Sequence, residues 1–78
     1  MNITVRYFAS MRDRMGRADE VVSLDGGKVT VAEVWSKVSG GKPMPESTLI
    51  AVNMAYTDAA AMLKDGDELA FFPPVTGG

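Results

Sequence analysis

The groups that could do chemistry in this chain are few. Cysteine and histidine are both absent, which removes thiol nucleophiles, disulfides, imidazole bases and the usual zinc ligands together. Three acidic residues, Asp65, Asp67 and Glu68, crowd one stretch. An EF-hand loop would need a dozen residues with glycine at the sixth position, and that frame is missing, so a solvated turn is the plainer reading. Gly-Gly-Lys occurs at 26–28 and at 40–42, but Val29 and Pro43 follow where a phosphate-binding loop requires Ser or Thr. Both triplets read as turns beside helix ends. Arg6, Arg12, Arg14 and Arg17 lie near the N-terminus with no aromatic platform between them beyond Tyr7 and Phe8, which the pattern assigns to the core. They read as a solvated charged face. No nucleophile has a base, and no two carboxylates are placed together by their spacing.

One reactive group is left, the C-terminal carboxylate at the end of "FFPPVTGG". Pro73 and Pro74 fix φ and project the arm. The four residues beyond them reach about 13 Å when extended. Gly77 and Gly78 lack Cβ, so they fit a narrow channel and adopt backbone angles closed to other residues. A carboxylate is inert until activated, and adenylation would open it to a sulfur or nitrogen nucleophile. Asp65, Asp67, Glu68 and the terminal carboxylate make everything after Lys64 acidic, so the tail is expected to leave from a negative region and to suit a basic groove on a partner.

The elements that must carry this arm follow from periodicity. "NITVRYF" alternates, with Ile3, Val5 and Tyr7 on one side, as a half-buried strand does. Phe8, Met11 and Met15 then fall at helical spacing, and Gly16 ends the turn. "DEVVSL" is a second strand, closed by Asp25-Gly26-Gly27. Thr30 and Glu33 form a capping box ahead of Val31, Val34, Trp35 and Val38, one apolar stripe that Gly40-Gly41 ends. "LIAVN" is a buried strand and "MAYTD" a short one, while "AAAML" suits a single helical turn. The methionines, Met54 and Met62 among them, are expected to fill core gaps. "ELAFF" is the last strand, with Leu69 and Phe71 on one face and Ala70 and Phe72 on the other, and Pro73-Pro74 stop the ladder.

A hairpin of the first two strands, a helix crossing back and a last strand beside the first satisfy every element. This is an α+β β-grasp fold, ubiquitin-like, with a four- to five-stranded mixed sheet, one main helix and a flexible C-terminal tail. Residues 1–78 form one domain, with 73–78 as the protruding tail. Arg6 interrupts any N-terminal apolar run and no stretch approaches a membrane span, so a cytoplasmic protein is expected.

The stretch "AVN…Y…LKDGDELAFFPPVTGG", together with "ITVRYFASMRDRMG", resembles the small, sulfur-carrying subunit of molybdopterin synthase, across nearly the whole chain. The resemblance implies a sulfur carrier in molybdenum cofactor biosynthesis with no catalytic side chains of its own. Gly78 would be adenylated by an ATP-dependent, ubiquitin-activating-like enzyme and converted to a thiocarboxylate. The tail, Pro73, Pro74, Val75, Thr76 and Gly77, would enter the large subunit and deliver sulfur to cyclic pyranopterin monophosphate. No cofactor is bound by the carrier; ATP belongs to the activating enzyme. The family assembly is a heterotetramer, with no nucleic acid or membrane among the implied partners. Phe72 is expected beside the tail as an interface anchor if its face of the sheet is uncovered; burial under a loop is the alternative. Other readings share the Gly-Gly ending: a carrier of the thiamin pathway, a ubiquitin-like protein modifier, or a plain binding module.

Overall fold

A computed structural model of the chain describes residues 1–74. The elements run β1 (Asn2–Tyr7), α1 (Ser10–Met15), β2 (Asp19–Ser23), β3 (Val29–Thr30), α2 (Val31–Ser39), β4 (Leu49–Val52), β5 (Ala55–Thr57), β6 (Met62–Leu63) and β7 (Glu68–Phe72). Five strands form one mixed sheet in the order β2-β1-β7-β4-β5, and β3 pairs with β6 in a small separate ladder. The last strand therefore enters the middle of the sheet. It lies parallel to β1, with Val5 opposite Leu69 and Tyr7 opposite Phe71, and antiparallel to β4, with Ile50 opposite Phe71. This is the β-grasp arrangement, with five strands in the main sheet.

Both helices cover one face. Ile3, Val5 and Tyr7 of β1 and Leu69 and Phe71 of β7 point under them and pack with Val31, Val34 and Trp35 of α2. The Trp35 ring meets Phe71 edge-on at 5.0 Å between centroids, and its indole N–H donates to the Lys42 carbonyl at 2.9 Å. Trp35 is thus the core anchor that its place on the helical stripe suggests. The capping box forms as expected: Glu33 N–H donates to Thr30 Oγ1, and Thr30 N–H donates to the Glu33 carboxylate. Gly16 and Gly40 end α1 and α2 in the left-handed region, at φ 75° and 71°.

Two expectations about elements change. The "AAAML" segment is not helical. Its carbonyls are already used, because Ala61 O accepts from Val31 N–H and Ala59 O accepts from Ala32 N–H, supplying acceptors to the free donors of the α2 N-terminus. Met62-Leu63 then pairs with β3. Second, Phe8 lies outside α1. The β1 ladder runs one residue further than the alternation of core residues implied, with Phe8 N–H donating to the Phe71 carbonyl at 3.1 Å. Ala9 takes φ 51°, ψ −128°, and Met11 N–H donates back to Phe8 O, a tight turn that starts the helix only at Ser10. Phe8 therefore continues the outward set Thr4–Arg6 and does not join Met11 in the core.

Candidate functional site

The uncovered sheet face is built in rows by strand register. The row nearest the end of β7 sets Phe8 beside Phe72, with Leu49 across from Phe72 on β4. The next row runs Arg6, Ala70, Ala51, Tyr56, each opposite the next. Phe8 and Phe72 stack with centroids 4.6 Å apart and planes 9° from parallel, and Tyr56 approaches Phe72 edge-on at 6.3 Å. The two alanines present only methyls, so large neighbours wall a shallow depression of about 310 Å³ over them, completed by Glu68 and Met54. Arg6 and Glu68 pair across its rim at 3.5 Å, both half in solvent. Such a pair contributes little to stability, but it fixes two opposite charges beside an apolar floor.

Exposure sets this face apart from the helix-covered one. Phe8 is 38% exposed and Tyr56 73%, whereas Phe71, one residue before Phe72, is at 0%. Phe72 is half-buried, held between two aromatic neighbours. Clustered exposed aromatics of this kind characterise contact surfaces. Pro73 and Pro74 follow directly, so the arm leaves at the aromatic margin of this face. Of the residues assigned to the working end, Phe72, Pro73 and Pro74 are brought together here. Val75, Thr76, Gly77 and Gly78 lie outside the described residues.

The electrostatic expectation for the tail is corrected. Asp65 and Asp67 stand at the start of β7, and Phe72 at its finish about 15 Å away. Both acids are occupied there. Asp65 accepts from Asn2 N–H at 2.7 Å. Asp67 is buried, not solvated: it accepts from the Asn53 side-chain amide at 2.9 Å and from Lys64 N–H at 2.8 Å. Those bonds, that of Asn53 first, hold its carboxyl below the usual carboxylate range. Asp65 and Asp67 are thus the lock at the far end of the strand, and of the acidic run only Glu68 borders the face at whose margin Phe72 stands.

The arginines divide by role. Arg17 clasps three elements: its guanidinium bonds Glu20 on β2, donates to Val38 O at 3.1 Å on α2, and lies over the Tyr7 ring at 6.0 Å. Tyr7 O–H donates to Glu20 at 2.7 Å, and burial followed by this bond raises its pKa strongly, so the phenol is a fixed structural donor. Among the described residues, no group of three acidic side chains is placed to hold a metal ion. No helix of the described residues is long and apolar enough to cross a membrane.

Sequence reasoning passed over four contributors to this face. Phe8 was hidden by its accidental helical spacing from Met11, although continuing the period-two set Thr4, Arg6, Phe8 would have revealed it. Tyr56, and Ala51 opposite the Ala70 already assigned to the Phe72 face, emerge only from cross-strand register, which no single segment encodes. Met54 was assigned to the core and is 93% exposed; Met62 was assigned there too and is 53% exposed.

Comparison with known proteins shows the family and the fold. The ThiS family model matches residues 5–78. A molybdopterin synthase sulfur carrier subunit of Haemophilus influenzae is 53% identical, over 97% of this chain and 99% of its own length. Among solved structures, SAMP1 of Haloferax volcanii superposes over the whole of both chains with a TM-score of 0.84 at 23% identity, a likeness of fold alone. A chain in the complex of subunits 1 and 2 of the molybdopterin-converting factor of Helicobacter pylori matches at a TM-score of 0.68 and 26% identity, covering all of both chains.

Proposed function

Because the chain belongs to the ThiS family, we propose that it is the sulfur-carrying subunit of a molybdopterin synthase, working through its C-terminal carboxylate. The observation that carries this reading is the end of β7: the central strand delivers Phe72-Pro73-Pro74 to the margin of an exposed aromatic face, on a chain with no cysteine or histidine. The scaffold supplies recognition and the arm supplies the reacting atom.

The chemistry is the stepwise activation of an inert carboxylate. An oxygen of the Gly78 carboxylate attacks the α-phosphorus of ATP in a partner's site, and pyrophosphate leaves. The outer sulfur of a donor persulfide then displaces AMP from the acyl adenylate, and a thiol reduces the resulting acyl disulfide by attacking the donor's sulfur, which releases the C-terminal thiocarboxylate and leaves the donor in a disulfide. In the large subunit that sulfur attacks a carbon of cyclic pyranopterin monophosphate as an oxygen substituent of that carbon leaves, and hydrolysis of the acyl–sulfur bond leaves the sulfur on the pterin and returns Gly78 as a carboxylate. Two such deliveries complete a dithiolene. The large subunit covers the open face around Phe72, and the carrier sits at each end of a heterotetramer; the solved complex of a relative with its subunit 2 supports a partner of this kind.

The test is a reconstituted synthase. The full chain, charged by the activating enzyme with ATP and a sulfur donor, is expected to convert the pyranopterin. A chain with one residue added after Gly78 is expected to keep its fold and yield no product. Equal conversion by the extended chain would remove the reading. Capture of thiazole synthase in place of the large subunit would move the carrier to the thiamin pathway, and isopeptide conjugates to lysine would make it a modifier.

A further inference from the structure

Met54 is the most exposed large apolar side chain among the described residues, and its backbone is strained. Val52 and Ala55 pair directly across β4 and β5, so Asn53 and Met54 form a two-residue hairpin turn, with φ 50° and 71°. Two positive φ values define the turn type whose strong preference is Asn followed by Gly. Asn53 suits the first position. At the second, a methionine Cβ meets the steric cost that glycine avoids.

The turn cannot relax to relieve this. Asn53 N–H donates to Glu68 O at 2.8 Å, its side-chain oxygen accepts from Glu68 N–H at 3.0 Å, and its amide donates to Asp67. Three bonds therefore pin the turn to the start of β7. Met54 itself makes no hydrogen bond and, at 93% exposure, hardly any packing contact. The bonds of Asn53 hold the strained turn in the free molecule, while the Met54 side chain packs on almost nothing there. Its neighbours give the direction, because Met54 borders the depression shared by Tyr56 and Phe72.

We propose that Met54 is a docking residue, which extends the aromatic face to the β4–β5 tip and inserts its thioether into an apolar pocket of the large synthase subunit. This rests on the function proposed above, specifically on the large subunit covering the open face. An unbranched, polarisable side chain suits such insertion because it adapts to irregular apolar surfaces. Met54 thus trades stability of the free carrier for affinity in the complex.

The experiment measures thermal midpoint of the free carrier and its affinity for the large subunit in Met54→Gly, Met54→Leu and Phe72→Ala, each otherwise full length. Met54→Gly is expected to melt about 4 °C or more above the parent, since strain relief in so small a domain moves the midpoint by several degrees, and to bind roughly 5- to 30-fold more weakly. Met54→Leu, which keeps strain and apolar reach, is expected to stay within about 3-fold of parental affinity and to show no gain in midpoint. Parental affinity in Met54→Gly, a lower midpoint, or weakened binding confined to the activating enzyme overturns the proposal. If Phe72→Ala also binds like the parent, the open face is not the interface and the underlying reading of the face falls with it. If only Phe72→Ala weakens binding, the face stands and Met54 is excluded.

Discussion

Phe71 and Phe72 are the same residue, one position apart on one strand, and they meet opposite conditions. Phe71 points under the helices, fully buried between Tyr7 and Trp35. Phe72 points to the bare face, stacked on Phe8 and half-buried. The pleat of β7 thus divides the molecule's work. One face holds the apolar contacts that make the domain fold, and the other presents the aromatics to which we assign the docking of a partner. A sheet can carry both because alternate side chains never share a face, and because the helices cover only one side.

The sharpest way to break this contrast is to truncate each phenylalanine in turn. Phe71→Ala should cost about 3–5 kcal/mol, through lost burial and the cavity left behind. That is a large share of the roughly 4–12 kcal/mol available to a domain of this length, so the midpoint of chemical denaturation should fall far below the parent's. Phe72→Ala should cost about 1 kcal/mol in the same measurement, the worth of one aromatic stack. In calorimetric titration against the large subunit it should lose about 2 kcal/mol, roughly 30-fold in affinity. If both substitutions acted mainly on stability, the division between faces would not hold.

The two ends of β7 give a second contrast. Asp67 anchors the start, whereas the finish leads into Pro73-Pro74. Asp67→Asn should destabilise by about 1–2 kcal/mol at neutral pH, because a charged acceptor of two hydrogen bonds is lost. The carboxyl is depressed in the folded state, so its contribution is complete above the unfolded carboxylate pKa near 4 and disappears as pH falls through the lower folded value. The stability difference between parent and Asp67→Asn should therefore close in acid unfolding below about pH 4. A difference that persists there would assign the effect to packing. Thr30→Ala, which removes the α2 cap far from the open face, should cost about 1 kcal/mol and leave partner affinity unchanged.

The fold was legible wherever local rules and tertiary demands agree. The capping box, the Gly40 terminus and the alternation in β1 and β7 each state their own structure within a few residues, and together they admit few topologies. What stayed hidden depends on partners distant in sequence. "AAAML" has helical propensity, but its carbonyls are claimed by the first turn of α2. Phe8 matched two periods, and the ladder bond to Phe71 decided between them. Asp67 is close to Phe72 in sequence, yet a strand length separates them in space. The aromatic face had a single visible member, Phe72, because the others come from β1, β4 and β5 and meet only through register. Met54 was missed for a related reason: composition places methionine in cores, and only the turn geometry shows it stranded at a tip.

The central claim is that sulfur travels on the backbone terminus at Gly78. The direct measurement is the mass of the C-terminal peptide of carrier isolated from its own host. Cleavage after Lys64 releases residues 65–78, which contain no methionine, whereas the whole chain has six. That choice matters, because oxidation of one methionine adds nearly the same mass as exchanging oxygen for sulfur. The account predicts a population of this peptide with one oxygen replaced by sulfur, located by fragmentation at Gly78 and lost when the activating enzyme is deleted. A peptide carrying only oxygen, in cells actively making the cofactor and after alkylation to protect any thiocarboxylate, would contradict it.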